Sequence, residues 1–233
     1  MPTNTFGQCV GEPLPGFIGC PFPPSSPLDG GYTILEPLNV EAHASALYTS
    51  FCLSPDDRDW TYLFFDRPPD LNSFIEWLNL LAADSTLIVM VVHDKSLSLP
   101  TGLLSFMRIK PRSGVLEIGH VIFSSLLQRT RCATEAIYLM IKRAFDSGYR
   151  RVEWKCDALN ERSKSAALRL GFSYEGNFRN AFVYKSRTRD TAWFSIIDTD
   201  WGALNSRLSG WLRKENFCSI SGHQIRPLSA FTV

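Results

Sequence analysis

The sequence predicts an α+β fold built around one mixed, mostly antiparallel sheet flanked by helices. Three observations carry that expectation. Apolar runs of strand length and stretches of helical spacing both recur along the 233 residues. Three of the runs, Leu87–Val92, Gly102–Arg108 and Val115–Phe123, are joined by short polar turns at Asp94–Pro100 and Pro111–Gly114, as in an antiparallel meander. From Leu116 to Gly176 the order is strand, basic loop, helix, strand, Asn-x-x-Ser, helix, Gly-Phe.

Residues 1–31 are rich in proline and glycine, which excludes helix and central strand. They still carry Phe6, Val10, Phe17, Ile18 and Phe22, so the expectation is an irregular arm packed on the domain. A first strand follows at Tyr32–Leu35. Asn39 caps a helix whose inward residues are Ala42, Ala46, Leu47 and Phe51. Ser54-Pro55-Asp56-Asp57 starts a short helix through Trp60 and Leu63, which Arg67-Pro68-Pro69 breaks. Asp70 caps the next helix, with Leu71, Phe74, Trp77, Leu78 and Leu81 inward. After the meander, the helix from Ala133 to Asp146 turns Ala133, Ile137, Met140, Ile141 and Ala144 to one face and ends at Ser147-Gly148. Arg151–Cys156 is a strand. Asn160 caps a helix with Ala166, Ala167 and Leu170 inward, ended by Gly171. Two strands follow, near Phe172–Phe178 and Trp193–Asp198, with Arg187-x-Arg189-Asp190 as the turn between them and Arg189 paired with Asp190 or a nearby acid. A last amphipathic helix carries Trp201, Leu204, Leu208 and Trp211. The expected division is an arm at 1–31, one domain at 32–217 and a tail at 218–233.

The bulk numbers exclude several classes. Hydrophobic residues make up 45% and the net charge is +1, so neither nucleic acid nor an anionic membrane is indicated as a partner. The six cysteines form no C-x-x-C pair, so a zinc site is not expected and reduced thiols in the cytosol are the simplest reading. No charged n-region precedes an apolar run, and no apolar stretch approaches 18 residues. The expected location is cytoplasmic, as monomer or homodimer.

Chemistry concentrates in the basic loop. Gln128-Arg129-Thr130-Arg131-Cys132-Ala133-Thr134 ends at a helix N-terminus, where unpaired N–H groups and the positive end of the dipole bind phosphate. A solvated basic turn beside a helix cap is the plain alternative. Glu117 sits on the preceding strand, either facing solvent or buried for a reason; His120 lies three residues on, on the opposite face of an ideal strand. Asn160 and Ser163 have ordinary capping chemistry as their plain alternative.

These marks together, Glu117-Ile118-Gly119, the Gln128–Ala133 loop, Ala133-Thr134-Glu135-Ala136, Asn160-x-x-Ser163, and Leu170-Gly171-Phe172 followed by Glu175-Gly176, resemble the GCN5-related N-acetyltransferase (GNAT) superfamily over roughly Tyr32 to Leu212. They are closest to the subgroup of ribosomal-protein alanine acetyltransferases. Arg131 departs from the loop pattern, which carries a small residue there.

The resemblance implies a sheet splayed between its fourth and fifth strands, with acetyl coenzyme A in the gap and direct transfer of the acetyl group to a primary amine in a ternary complex. Backbone N–H groups of residues 129–134 would hold the diphosphate. The N–H of Val121 would polarise the thioester carbonyl, and the main chain near Phe123 would pair with pantetheine. Asn160 would hold pantetheine and Ser163 would reprotonate the leaving thiolate. Glu117 would be the general base, with His120 second, since a strand bulge re-aims side chains there. Trp60, Tyr62, Phe64 and Phe65 with Asp56, Asp57 and Asp59 lie where this fold builds its acceptor cleft, or are core aromatics beside a polar cap. No metal is expected. The acceptor would be a small amine or a protein N-terminus. The alternatives are a silent acyl-coenzyme A binding module and the same fold with a longer acyl donor.

Overall fold

Alternation along the apolar runs and helical spacing between them give eight strands and five α-helices among the described residues. In the computed structural model, which describes residues 1–97 and 99–231, the order is β1 (Leu28–Asp29), β2 (Thr33–Pro37), α1 (Val40–Cys52), α2 (Leu71–Ala83), β3 (Ile88–Asp94), β4 (Leu99–Lys110), β5 (Val115–Phe123), α3 (Arg131–Asp146), β6 (Arg151–Asp157), α4 (Glu161–Leu170), β7 (Ser173–Tyr184), β8 (Arg187–Ile197) and α5 (Asp198–Trp211). One sheet holds all eight strands in the order β1-β2-β3-β4-β5-β6-β8-β7. Every neighbouring pair is antiparallel except β5–β6.

Period-two alternation sends each strand's side chains to two cores. Leu116 and Ile118 of β5 and Val152, Trp154 and Cys156 of β6 pack with the apolar stripe of α3 (Ala133, Ala136, Ile137, Met140, Ile141, Ala144) and with α4 and α5. Val89, Val91, Leu103 and Ile122 face the other way, against α1 and α2 through Leu47, Phe51, Phe74 and Leu78.

The β5–β6 pairing positions the site. Its register covers only Val115–Glu117 against Arg151–Glu153, after which the strands part. On the other side of β5, register with β4 shifts after Gly119. His120, at φ 47°, and Val121 have no register partner, which is the expected bulge. The splay therefore falls between the fifth and sixth strands, because Leu28–Asp29 forms a short strand that the sequence did not announce.

The caps follow from side-chain chemistry. Asn39, Asp70, Thr130 and Asn160 each accept a backbone N–H from the first turn of their helix. Gly171 ends α4 at φ 100°, a left-handed C-cap. The buried carboxylate of Glu135 accepts the N–H groups of Gly31 (2.8 Å), Tyr32 (2.7 Å) and Thr33 (2.8 Å), pinning the start of β2 to α3. A Cβ on Gly30 would lie 2.6 Å from that carboxylate, so the residue there has to be glycine.

Two expectations change. The short helix through Leu63 is only a 3₁₀ turn at Arg58–Trp60. Arg187–Asp190 is not a turn but the start of β8. The hairpin turns at Lys185 and Ser186, with φ 48° and 58°. Both residues are left-handed, as a type I′ turn requires, yet neither is Gly, Asn or Asp, so the usual signature is missing. Arg189 pairs with no acid among the described residues; its guanidinium stacks on Phe64, 4.6 Å from the ring centre.

Candidate active site

The loop that follows β5 folds as its sequence dictates. The Gln128 side chain donates to the Phe123 carbonyl at 2.9 Å and ties the loop to the strand end. Arg129 takes φ 62°, the left-handed conformation that aims successive N–H groups inward. Thr130 caps α3, its Oγ1 accepting the Ala133 N–H at 3.1 Å, while the Thr134 N–H goes to the Thr130 carbonyl. This leaves the N–H groups of Arg129, Arg131 and Cys132 without an acceptor among the described residues, at the positive end of a 16-residue helix. The Cys132 thiol is pushed up to about 12, chiefly by burial, so it adds no negative charge.

Arg131 stands where a small residue was expected. It is the first residue of α3, in ordinary helical conformation, so no glycine is required there. Its guanidinium lies 4.2 Å from the centre of the Tyr32 ring and 5.2 Å from that of Phe217.

A cleft of about 1690 Å³ runs past this loop. Val121, Phe123, Gln128, Arg129, Thr130, Arg131, Cys132, Ala133, Thr134, Asn160 and Ser163 all line it. Glu117 and His120 do not. The C-terminal segment lines it too, at Phe217 and Ser221–Gln224, which sequence reasoning missed. Trp211 holds that segment, its Nε1 donating to Gln224 Oε1 at 3.0 Å.

At the gap between β5 and β6, Asn160 Oδ1 accepts the Ser163 N–H at 3.1 Å, which leaves the amide NH₂ of Asn160 free to donate. The Trp154 Nε1–H donates to Ser163 Oγ at 3.0 Å. An indole N–H can only donate, so the serine's own proton remains available.

Glu117 is buried on the sheet face opposite α3. Lys155 Nζ lies 2.9 Å and Arg108 Nε 3.3 Å from its Oε2. Burial pushes its carboxyl above the ordinary range, and the two cations pull it back. Strand alternation could have found this partner: Arg151, Glu153 and Lys155 occupy every second position of β6, between apolar residues. His120 is half-buried, and its Nδ1 is buried with no hydrogen-bond partner among the described residues. Burial lowers its pKa below the ordinary 6.5, so the ring is neutral at neutral pH.

The acids beside the expected acceptor cleft are matched by arginines. Asp56 binds Arg58 and Asp57 binds Arg67. Asp59 faces Arg162 at 3.4 Å. They present no excess negative charge to attract an amine. Trp60 and Phe65 belong to the α1–α2 core, whereas Tyr62 lines the cleft.

Among the described residues, Glu36, His43 and His93 stand close enough to share a cation, with Glu36 Oε2 3.5 Å from His43 Nε2 and 3.4 Å from His93 Nε2. His43 Nδ1 accepts the Asn39 N–H at 3.1 Å, so Nε2 carries the ring proton and is not a metal ligand.

The comparisons agree with this geometry. Residues 33–173 match the model of the Acetyltransferase (GNAT) domain. The chain belongs to the GCN5-related N-acetyltransferase family. It is similar to a GCN5-related N-acetyltransferase from Brucella melitensis, with 38% identity and a TM-score of 0.91 over 94% of this chain and 99% of that one. A probable GNAT-family acetyltransferase from Chromobacterium violaceum is 40% identical, with a TM-score of 0.79 over 84% of this chain and 98% of that one. The microcin C7 self-immunity acetyltransferase MccE, in complex with acetyl-CoA and AMP, shares the fold at 20% identity and a TM-score of 0.61, over 72% of this chain and 93% of that one. No curated protein matches the chain. The GNAT chain is thus an acyltransferase, and no helix among its described residues is long and apolar enough to cross a membrane.

Proposed function

We propose that this GNAT protein transfers the acetyl group of acetyl-CoA to a primary amine, on a small molecule or a protein N-terminus, by direct attack in a ternary complex. One observation carries the reading: the N-terminus of α3, the Asn160-x-x-Ser163 helix start and the parting of β5 from β6 all border one cleft. MccE, which shares the fold, holds acetyl-CoA.

In this mechanism the diphosphate lies on the free N–H groups of Arg129, Arg131 and Cys132, and pantetheine runs between the parted strands. Val121 lines the cleft and has no register partner on β4, so its N–H is suited to polarise the thioester carbonyl. Ser163 donates its proton to the departing thiolate. Of the two groups considered as base, His120 fits better. It is neutral, its Nδ1 is unpartnered and it adjoins Val121, whereas Glu117 is tied to two cations. Much of the rate comes from holding amine and thioester together.

The test is calorimetric titration with acetyl-CoA, followed by thiol release with a panel of primary amines. Binding that Arg129→Glu/Arg131→Glu abolishes, together with amine-dependent thiol release, is the expected result. Absence of both refutes the reading.

A further inference from the structure

A second cavity, of about 530 Å³, opens beside Glu117 and differs in character from the cleft. Three cations line it, Arg108 from β4, Lys155 from β6 and Arg179 from β7, with the aromatic rings of Phe178, Phe182 and Trp193. Arg108 and Lys155 share the single carboxylate of Glu117, and Arg179 has no acidic partner among the described residues. The next acids on this sheet face, Glu153 and Glu175, are both held by Arg151. The pocket's lining cations outnumber the one carboxylate they share, and with Glu153, Glu175 and Arg151 counted in, this face still carries an excess of positive charge.

Its walls are built for a flat occupant. The Trp193 ring lies beneath the two floor cations, 4.8 Å from Lys155 Nζ and 5.4 Å from the Arg108 guanidinium, and packs 4.9 Å from Phe178. Polar atoms on the same face also lack protein partners among the described residues: Trp193 Nε1, His120 Nδ1 and Ser105 Oγ. Arg108, which lines the pocket, holds a left-handed backbone at φ 49°, as do Asn180, between the lining residues Arg179 and Ala181, at φ 49° and His120 on β5 at φ 47°. Strain of this kind costs stability and gathers where function needs it.

The pocket lies across the sheet from the cleft. Trp154, which lines the cleft, and Lys155, which lines the pocket, are successive residues of β6 and point to opposite faces. β5 and β6 are unpaired beyond Glu117 and Glu153, so the gap between them lies at the pocket's edge. We infer that this pocket receives the acceptor, and that the acceptor is an amine carrying an anionic group, carboxylate or phosphate, on a planar or aromatic body. The anion rests among Arg108, Lys155 and Arg179, the body lies against Trp193 and Phe178, and the amine points back toward His120 and the thioester.

The inference rests on the proposed acetyl transfer, so the experiment reads the two separately. Thiol release from acetyl-CoA is measured with 4-(aminomethyl)benzoate and with benzylamine, which differ only in the carboxylate. In parallel, calorimetry measures 4-(acetamidomethyl)benzoate and N-benzylacetamide binding to the protein saturated with coenzyme A. The expected result is at least a tenfold preference for the carboxylate in kcat/KM and in binding. In Arg179→Ala that preference falls about tenfold, through KM, while acetyl-CoA affinity stays unchanged. Carboxylate-selective binding without turnover of either amine supports the pocket and refutes transfer to these acceptors. Equal binding of the two amides, or a preference untouched in both Arg179→Ala and Arg108→Gln, overturns the inference.

Discussion

Replacing Ser163 by alanine separates its two duties. The structural duty is to accept the indole N–H of Trp154, a residue 4% exposed. Without Oγ that donor is left buried and unpaired, at a cost of about 1–3 kcal/mol. Alanine returns roughly 0.5 kcal/mol through better helix propensity. The Asn160 cap survives, because Asn160 Oδ1 accepts the Ser163 backbone N–H rather than its side chain. The net loss is about 0.5–2.5 kcal/mol, or roughly 1–10 °C in Tm for a chain of this size. The chemical duty, in the proposed mechanism, is to protonate the thiolate, and its loss should lower kcat by about 10²-fold. A double-mutant cycle distinguishes the two, because Trp154→Phe removes the donor that needed Ser163. Ser163→Ala placed in the Trp154→Phe background should cost little further Tm yet still lose about 10²-fold in kcat. The measurements are thermal melts and single-turnover thiol release at saturating coenzyme. Equal turnover of Trp154→Phe and of the double variant would refute the acid role and leave Ser163 as an indole acceptor.

Four further outcomes are expected. Glu135→Ala strands three backbone N–H groups at the α3–β2 junction and should lower stability by about 3–5 kcal/mol in urea melts. Phe217→Ala removes one of the two rings against Arg131, leaving Tyr32, and should weaken acetyl-CoA binding about two- to fivefold by calorimetry. His120 has its folded pKa below the unfolded value of 6.5, so the unfolded chain takes the proton first as pH falls. Stability should therefore decline as pH drops below about 6.5, and His120→Gln should both flatten that decline in melts and remove the acid limb of the pH–rate profile. The Cys218 thiol is lowered to about 7 by hydrogen bonds from Ser221 and from the N–H groups of Ile220 and Ser221. At pH 7.5 iodoacetamide should label it ahead of the exposed Cys9 and Cys52, as read by peptide mass.

The parts of the fold legible in the sequence are those fixed by local chemistry. Asn39, Asp70 and Asn160 cap the helices they were expected to cap, because a side-chain oxygen next to an apolar helical stripe has few other uses. The meander was legible because short turns force antiparallel neighbours. The hairpin turn at Lys185-Ser186 was not, since tertiary contacts hold it: Lys185 Nζ reaches the Trp60 carbonyl at 2.9 Å and Asp66 at 2.7 Å. The strand Leu28–Asp29 was hidden because two residues carry no periodicity. It also places the expected arm boundary at residue 31 inside the β1–β2 hairpin. The loop around Arg129 was legible as a basic turn ending at a helix N-terminus, but which of its N–H groups remain free depends on the Thr130 cap.

Glu117 shows why face and role are separate questions. Alternation placed its side chain opposite Leu116 and Ile118, and burial is the condition under which a carboxyl becomes a useful base. The deciding fact lay elsewhere in the chain. Lys155 arrives from a strand 38 positions later and Arg108 from the preceding one, and together they fix the carboxylate as their counter-ion. Removing a buried counter-ion strands the cations around it, so Glu117→Gln should lose stability more than turnover. It would also raise the positive charge of the pocket lined by Arg108, Lys155 and Arg179, and an anionic amine should then bind more tightly rather than less. If Glu117 were instead the base, the same substitution would abolish the rate near neutral pH without tightening the acceptor. KM for 4-(aminomethyl)benzoate, falling in one case and steady in the other, decides between them.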